Sequence, residues 1–376
     1  MTRVLVVNCG SSSLKYRLFD GSRIVRRGLV ERIGEPDGGA PDHSTALRDV
    51  LAGLDLANLD VVGHRVVHGG TEFTGPTLVD DAVVAAIERL IPLAPLHNPA
   101  NLTGIAVARQ LLPDVPQVAV FDTAFHTTMP PEAATYALDS DLAGRLGVRR
   151  YGFHGTSHSY VARRTADLLG RRPDQLDLIT LHLGNGASAC AVSAGRSVAT
   201  SMGMSPLAGL VMGTRSGDLD PAVMFHLHRV GGLSVPEIDE LLNHRGGLLG
   251  LTGDNDMRAV LRRRAAGDPA ATLAFDVYSR RITEYVGAYL AVLGRLDAIT
   301  FTGGVGEHAV EVRAAALAGL AGLGIVVDPA RNERGEQIIS APDAPVSVCV
   351  VATDEEREIA DQALAVLSGR PPLSSP

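Results

Sequence analysis

The 376-residue sequence predicts an α/β fold in which one unit is used twice. Two passages carry that expectation. In the first, Val4 to Val7 reads as a buried strand, Asn8 to Ser13 as a turn of small polar residues, and Leu14 to Phe19 as the returning strand. In the second, Asp177 to Leu183, Gly184 to Ser188 and Ala189 to Val192 repeat the same order. A third observation concerns function. Asn8, Asp122, Asn185, Gly303 and Glu355 stand at the ends of short apolar strands, the edge where α/β sheets bind ligands.

The elements follow in order. Arg23 to Arg32 continues the first hairpin, and Gly34 to Ser44 is an exposed loop rich in Gly, Pro and Asp. Asp80 to Leu90 and Asn101 to Leu111 have helical periodicity, with Pro99 suited to an early helical position. Val115 to Phe121 is a strand that ends at Asp122, and a helix is expected from near Ser159. Arg258 to Ala266 and Leu273 to Leu293 read as helices. Ala298 to Phe301 is a strand running into a Gly-rich loop, TGGVGEH, followed by a helix over Glu311 to Leu323. Val346 to Val351 is the last strand, before a terminal helix and a frayed PPLSSP tail.

Composition narrows the function. Apolar residues make up 45% and charged residues 20%, as in a soluble globular protein. A net charge of −8 with no basic run argues against nucleic acid, and there is no Trp to stack on single strands. Cys9, Cys190 and Cys349 are widely spaced, fitting neither a disulfide framework nor a zinc site. No apolar stretch reaches the roughly 18 residues of a membrane span, and no signal sequence is evident, so a cytoplasmic protein is expected.

Of the 34 basic residues, Lys15 alone is lysine. It leaves a turn of Gly and Ser residues that can offer N–H groups and hydroxyls to an anion. Tyr16 follows it, so this is no Walker A loop, and the HRD and DFG motifs of protein kinases are missing. In GHRVVHGG, strand alternation puts Arg65 beside Val67, a pairing suited to a small carboxylate with an alkyl tail. YGFHGTSH places His154 in a Gly-bounded turn before a helix, where an anion can sit. MGTRSGDLDP presents Arg215 on a polar loop, and two converging arginines would clamp a phosphoryl group. GGVG does not match the dinucleotide fingerprint and suits close approach to a flat nucleoside. ATDEE offers carboxylates for a hard cation.

Taken together, VLVVNCGSSSLK, GHRVVHGG, PLAPLHNPANLTGI, VAVFDTAFHTTMP, YGFHGTSHSYV, LHLGNGASACAV, TSMGMSPLAGLVMGTRSGDLDP, FTGGVGEH and ATDEE resemble the acetate kinase (acetokinase) family over nearly the whole chain. The resemblance implies two ribonuclease-H-like domains of the actin and sugar-kinase superfamily, with an active-site cleft between them. Residues 1–125 with 356–376 would form the first domain, and 126–355 the second, nucleotide-binding and dimerising one. It implies reversible phosphoryl transfer between ATP and acetate, giving ADP and acetyl phosphate, with Mg²⁺ (or Mn²⁺), in a homodimer. Asn8 and Glu355 would hold the metal, and Lys15 would lie near the nucleotide phosphates. Arg65 would bind the acetate carboxylate with Asp122 at its side, while Val67, Leu96, Phe153 and Pro206 would meet the methyl group. His154 and Arg215 would stabilise the phosphoryl oxygens in transfer. His182, Leu183, Gly184, Asn185 and Gly186 would line the phosphates. Asp256, Met257 and Arg258, with Gly304, Val305, Gly306, Glu307 and His308, would frame the adenosine. The sequence departs from the family at His308, where Asn is usual, at Ala208, where an acid is common, and in TGDNDMR. Propionate is the alternative acceptor. An actin-like ATPase with no carboxylate acceptor is the alternative of another class.

Overall fold

In the computed structural model, residues 2–369 are described. Their contacts divide them into two compact units: residues 2–127, 155–159 and 354–369, and residues 128–154 and 160–353.

The first unit is built on a six-stranded sheet. Its strands are β1 (Arg3–Cys9), β2 (Ser13–Asp20), β3 (Arg23–Glu31), β4 (Val61–Val66), β5 (Thr77–Leu78) and β6 (Gln117–Phe121), in the order β3-β2-β1-β4-β6-β5. β1, β4 and β6 run parallel, while β2 and β3 return antiparallel. Side chains alternate across the sheet. Leu5, Val7, Leu14 and Leu18 bury one face with Leu47 and Leu51 of the His43–Ala52 helix and Val107 of the Asn98–Leu111 helix. Val4, Val6, Phe19, Val118 and Val120 bury the other face with Ile359, Ala360 and Ala363 of the Glu355–Leu367 helix. Burial of Ile359 alone is worth about 1.5–3 kcal/mol. Asp354 starts that helix by accepting the Arg357 N–H at 3.0 Å.

The second unit repeats the plan. β7 (Asp177–Leu183), β8 (Ala187–Ser193), β9 (Arg196–Thr200), β10 (Ala298–Thr302) and β11 (Ser347–Val350) are ordered β11-β10-β7-β8-β9. Again the first hairpin is antiparallel and the strands beyond it are parallel. The duplication read from two hairpins therefore holds for both sheets. The Pro269–Leu293 helix packs Ala271, Ala274, Tyr278, Ile282, Val286 and Tyr289 inward at helical spacing. Asp268 caps its start, and Gly294, at φ 71°, ends it.

Three local expectations need correction. The helix expected from Ser159 begins at Gly155, with His154 as its left-handed N-cap at φ 56°. TGGVGEH is not a loop: the chain turns from β10 directly into a Gly303–His308 helix. Gly303 makes this possible at φ 77°, where an added Cβ would lie 2.8 Å from the Leu183 carbonyl oxygen. β4 stops at Val66, so strand alternation does not place Val67; its N–H is held instead by Asn101 Oδ1 at 3.0 Å.

Candidate active site

Parallel strands aligned in register bring their C-terminal ends together. In the first unit that edge gathers Asn8 from β1, Arg65 from β4 and Asp122 just past β6. Arg65 meets Asp122 side-on: Nε lies 3.0 and 3.1 Å from the two carboxylate oxygens, and Nη2 donates to Oδ2 at 2.5 Å. Nη1 reaches Asn8 Oδ1 at 3.3 Å. Asp122 is fully buried, and its own backbone carbonyl accepts the Gly155 N–H at 2.9 Å. Burial works against the Arg65 charge, but the charges of Asp122, Glu355 and Glu356 and the Asp122 hydrogen bonds outweigh it and hold the pKa above the ordinary arginine value. Asp122 is thereby fixed as the counter-ion that sets the guanidinium plane.

Glu355 opens the C-terminal helix of the same unit. Burial pushes its pKa up to about 7, Arg65 and Lys15 opposing and Asp122 and Glu356 reinforcing the rise. Lys15 lies 2.6 Å from Glu356, a nearly buried carboxylate. Val67 is buried, whereas Leu96 is 59% exposed.

The second unit carries the second set. Its β7–β8 turn is closed by the Gly184 N–H donating to the Gly186 carbonyl at 2.9 Å. An added Cβ at Gly186 would lie 3.4 Å from the His154 ring and 3.5 Å from Arg215 Nη1, so imidazole and guanidinium converge over this turn. His154 Nδ1 pairs with Ser188 Oγ at 2.8 Å, and its ring stacks on His182 with centroids 4.3 Å apart. The Arg215 guanidinium touches the Pro206 carbonyl at 3.5 Å and the Met212 sulfur at 3.9 Å, and burial lowers its pKa. Phe153 is buried next to His154 in the chain.

A cavity of about 520 Å³ opens beside the same turn. Gly184 and Asn185 line it, with Asp256, Met257 and Arg258 from one helix start and Gly304, Val305 and His308 from another. Its volume lies in the range of small-molecule sites. Asp256 caps its helix and grips Arg258 at 2.7 Å, which holds the rim. Glu307 turns away from that role: its carboxylate accepts the Gly303 N–H at 2.9 Å and the Thr353 N–H at 3.3 Å. Leu183 is buried beneath the turn. Leu248, Asn255, Leu261 and Tyr278 also line the cavity and were not singled out from sequence. Only Asn255, inside TGDNDMR, lay in a segment already marked.

Asn8 and Glu355 supply an amide and a carboxylate oxygen, a donor set suited to a hard cation. Among the described residues there is no group of three or more His, Cys, Asp or Glu side chains able to hold a metal. Mg²⁺ does not need one, because it is usually bound by one or two carboxylates together with substrate phosphates and water. No helix among the described residues is long and apolar enough to cross a membrane.

The sequence matches the acetokinase family over residues 3–361. It is 59% identical to the acetate kinase of Streptomyces avermitilis, over 97% of this chain and 98% of that protein. The solved structure of Porphyromonas gingivalis acetate kinase is 42% identical, with a TM-score of 0.93 over 98% of this chain and 100% of that one. A propionate kinase structure from Francisella tularensis is 40% identical, also with a TM-score of 0.93, over 97% of this chain and 99% of that one. The chain belongs to the acetokinase family.

Proposed function

We propose that this chain transfers the γ-phosphoryl group of ATP reversibly to acetate, giving acetyl phosphate and ADP. The observation that carries the reading is the chain-long similarity to proteins named acetate kinase. The side chains suit the chemistry. Acetate is already ionised at neutral pH, so its oxygen attacks the γ-phosphorus without a general base. As the O–P bond forms, the bond from the γ-phosphorus to the bridging oxygen breaks, and its electron pair leaves with ADP. The difficulty is bringing two anions together, and fixed cations offset it.

In this reading Arg65 receives the acetate carboxylate on the N–H groups not committed to Asp122, and Val67, Leu96, Phe153 and Pro206 meet its methyl group. His154 and Arg215 donate to the equatorial phosphoryl oxygens. The Gly184–Gly186 turn takes the nucleotide phosphates, and the neighbouring cavity takes the adenosine. Asn8 and Glu355 hold Mg²⁺, or Mn²⁺ in its place, which when bound supplies positive charge against the phosphate oxygens. The proposed domains are 1–125 with 356–376 and 126–355, a division that differs from the contact units in leaving 126–127, 155–159 and 354–355 with the second domain.

A homodimer is part of the proposal. The Ala222–Arg229 helix exposes Val223, Met224 and Phe225, with Val230 and Val235 exposed close by in the chain. Such an apolar run marks an association surface.

A hydroxamate assay with Mg·ATP and formate, acetate, propionate or butyrate tests the activity. Acetate should be turned over best. One methylene changes discrimination by only about 1–3 kcal/mol, so propionate should follow as a weaker acceptor. Preference for propionate would favour the second reading, which the Francisella tularensis structure supports. Absence of any acyl-hydroxamate, with ATP still hydrolysed, would leave an acceptor-free ATPase.

A further inference from the structure

We propose that Arg17 and Lys15 are positioning residues for Glu355, acting through its two neighbours in the chain rather than on the nucleotide phosphates. The proposal rests on the reading of Glu355 as a metal-holding residue and deepens it.

The argument begins with β2. Alternation sends Leu14 and Leu18 into one face of the sheet and leaves Lys15, Arg17 and Phe19 on the other, where the Glu355–Leu367 helix packs. Arg17 spreads its fork across the start of that helix. Nη1 holds the Asp354 carboxylate at 2.7 Å and Nη2 holds Glu356 at 3.1 Å. Asp354 and Glu356 are the residues on either side of Glu355, so one planar cation pins both flanks of it. Lys15 adds a second cation to Glu356 at 2.6 Å. The Glu356 side chain is only 4% exposed, and a buried carboxylate without its cations would not stay in place. The ladder links the clamp to Asn8 as well, because Asn8 and Lys15 are direct partners in β1 and β2. The two residues expected to hold the metal are thus tied to one short stretch of β2.

This assigns the single lysine a different task from the one its turn suggests. An ammonium engaged by Glu356 acts on the metal-holding residue, and Arg17, which no motif marks, does so more strongly through its two-pronged geometry.

Hydrogen exchange on the ligand-free protein tests the clamp without relying on activity. In Arg17→Lys and Lys15→Met, peptides covering residues 354–358 should exchange faster than in wild type, while Lys15→Arg should restore protection. The Mg²⁺ concentration for half-maximal acyl-hydroxamate formation should rise roughly tenfold or more in Arg17→Lys, the size of effect that lost support around a metal ligand has. KM for ATP at saturating Mg²⁺ should stay near wild type. The half-exposed Lys15 carries the test should Arg17→Lys not fold. A raised KM for ATP in Lys15→Met, with exchange at 354–358 unchanged, would overturn the proposal and return Lys15 to the phosphates. Failure of wild type to form any acyl-hydroxamate would remove the reading of Glu355 and leave the exchange result standing alone.

Discussion

Arg65 and Arg215 differ in what surrounds the same side chain. Arg65 has a buried carboxylate along two of its nitrogens, so its charge is compensated and its plane is fixed. Arg215 is partly buried against a carbonyl and a sulfur, and neither neutralises it. A site that stabilises charge developing in transfer needs the second kind of cation. Arg215→Lys keeps the charge and loses the fork, so kcat should fall roughly 100-fold or more, as for other lost transition-state donors; steady-state hydroxamate kinetics will measure it. His64 makes a separate, pH-dependent prediction. Burial lowers its pKa from 6.5 to about 4, only partly countered by the 2.8 Å bond to Gln117. The folded protein keeps this ring neutral while the unfolded chain protonates it below pH 6.5. Its contribution is therefore present above pH 6.5 and lost as pH falls toward 4, on the order of 2 kcal/mol between pH 7 and pH 5. Urea midpoints at pH 7 and pH 5 should differ more in wild type than in His64→Gln.

At the scale of elements, the start of the Gly155–Leu168 helix sets the Asp122 backbone. Gly155 approaches so closely that an added Cβ would lie 2.2 Å from the Asp122 carbonyl oxygen. Gly155→Ala should destabilise the protein by about 1–3 kcal/mol and lower acyl transfer as well, because the carbonyl belongs to the residue that orients Arg65. Thermal unfolding with parallel activity assays checks both. This element also marks how far sequence reading reached. Apolar runs mark the central strands well, since β1, β7 and β10 are buried on both faces and carry few polar residues, but the edge strands β5 and β9 carry no such run and escape the sequence reading. The helix starts four residues earlier than expected because Gly152-Phe153-His154-Gly155 has the composition of a turn, and His154 does adopt a turn residue's φ before the helix begins. TGGVGEH has the composition of a loop for a related reason: glycine lowers helix propensity, yet tertiary packing overrides it here. Asn8 and Asp122 can be nominated from their strand ends, and Arg65 from the GHRVVHGG segment. The pairing of Arg17 with Asp354 and Glu356 could not, because it depends on where a C-terminal helix lands on an N-terminal sheet, and no local pattern encodes that.

For the whole molecule, the exposed apolar face of the Ala222–Arg229 helix predicts the assembly. Phe225 is 60% exposed on it. Phe225→Asp should shift the protein from twice the mass of the chain to one chain's mass by light scattering; a wild-type monomer would remove the dimer from the proposal. The matching sheet orders have a further consequence. Aligned on the last residue of each first strand, Asn8 corresponds to His182, and their ladder partners Lys15 and Ser188 correspond in turn. One scaffold position thus accepts from the Arg65 guanidinium in the first half and carries a ring stack in the second, and its partner anchors a carboxylate in one and an imidazole in the other. The two hairpins keep this ladder correspondence although their turns differ in length, four residues between Cys9 and Leu14 and three between Leu183 and Ala187. Duplication gave two copies of a cradle, and their divergence divided the labour between them.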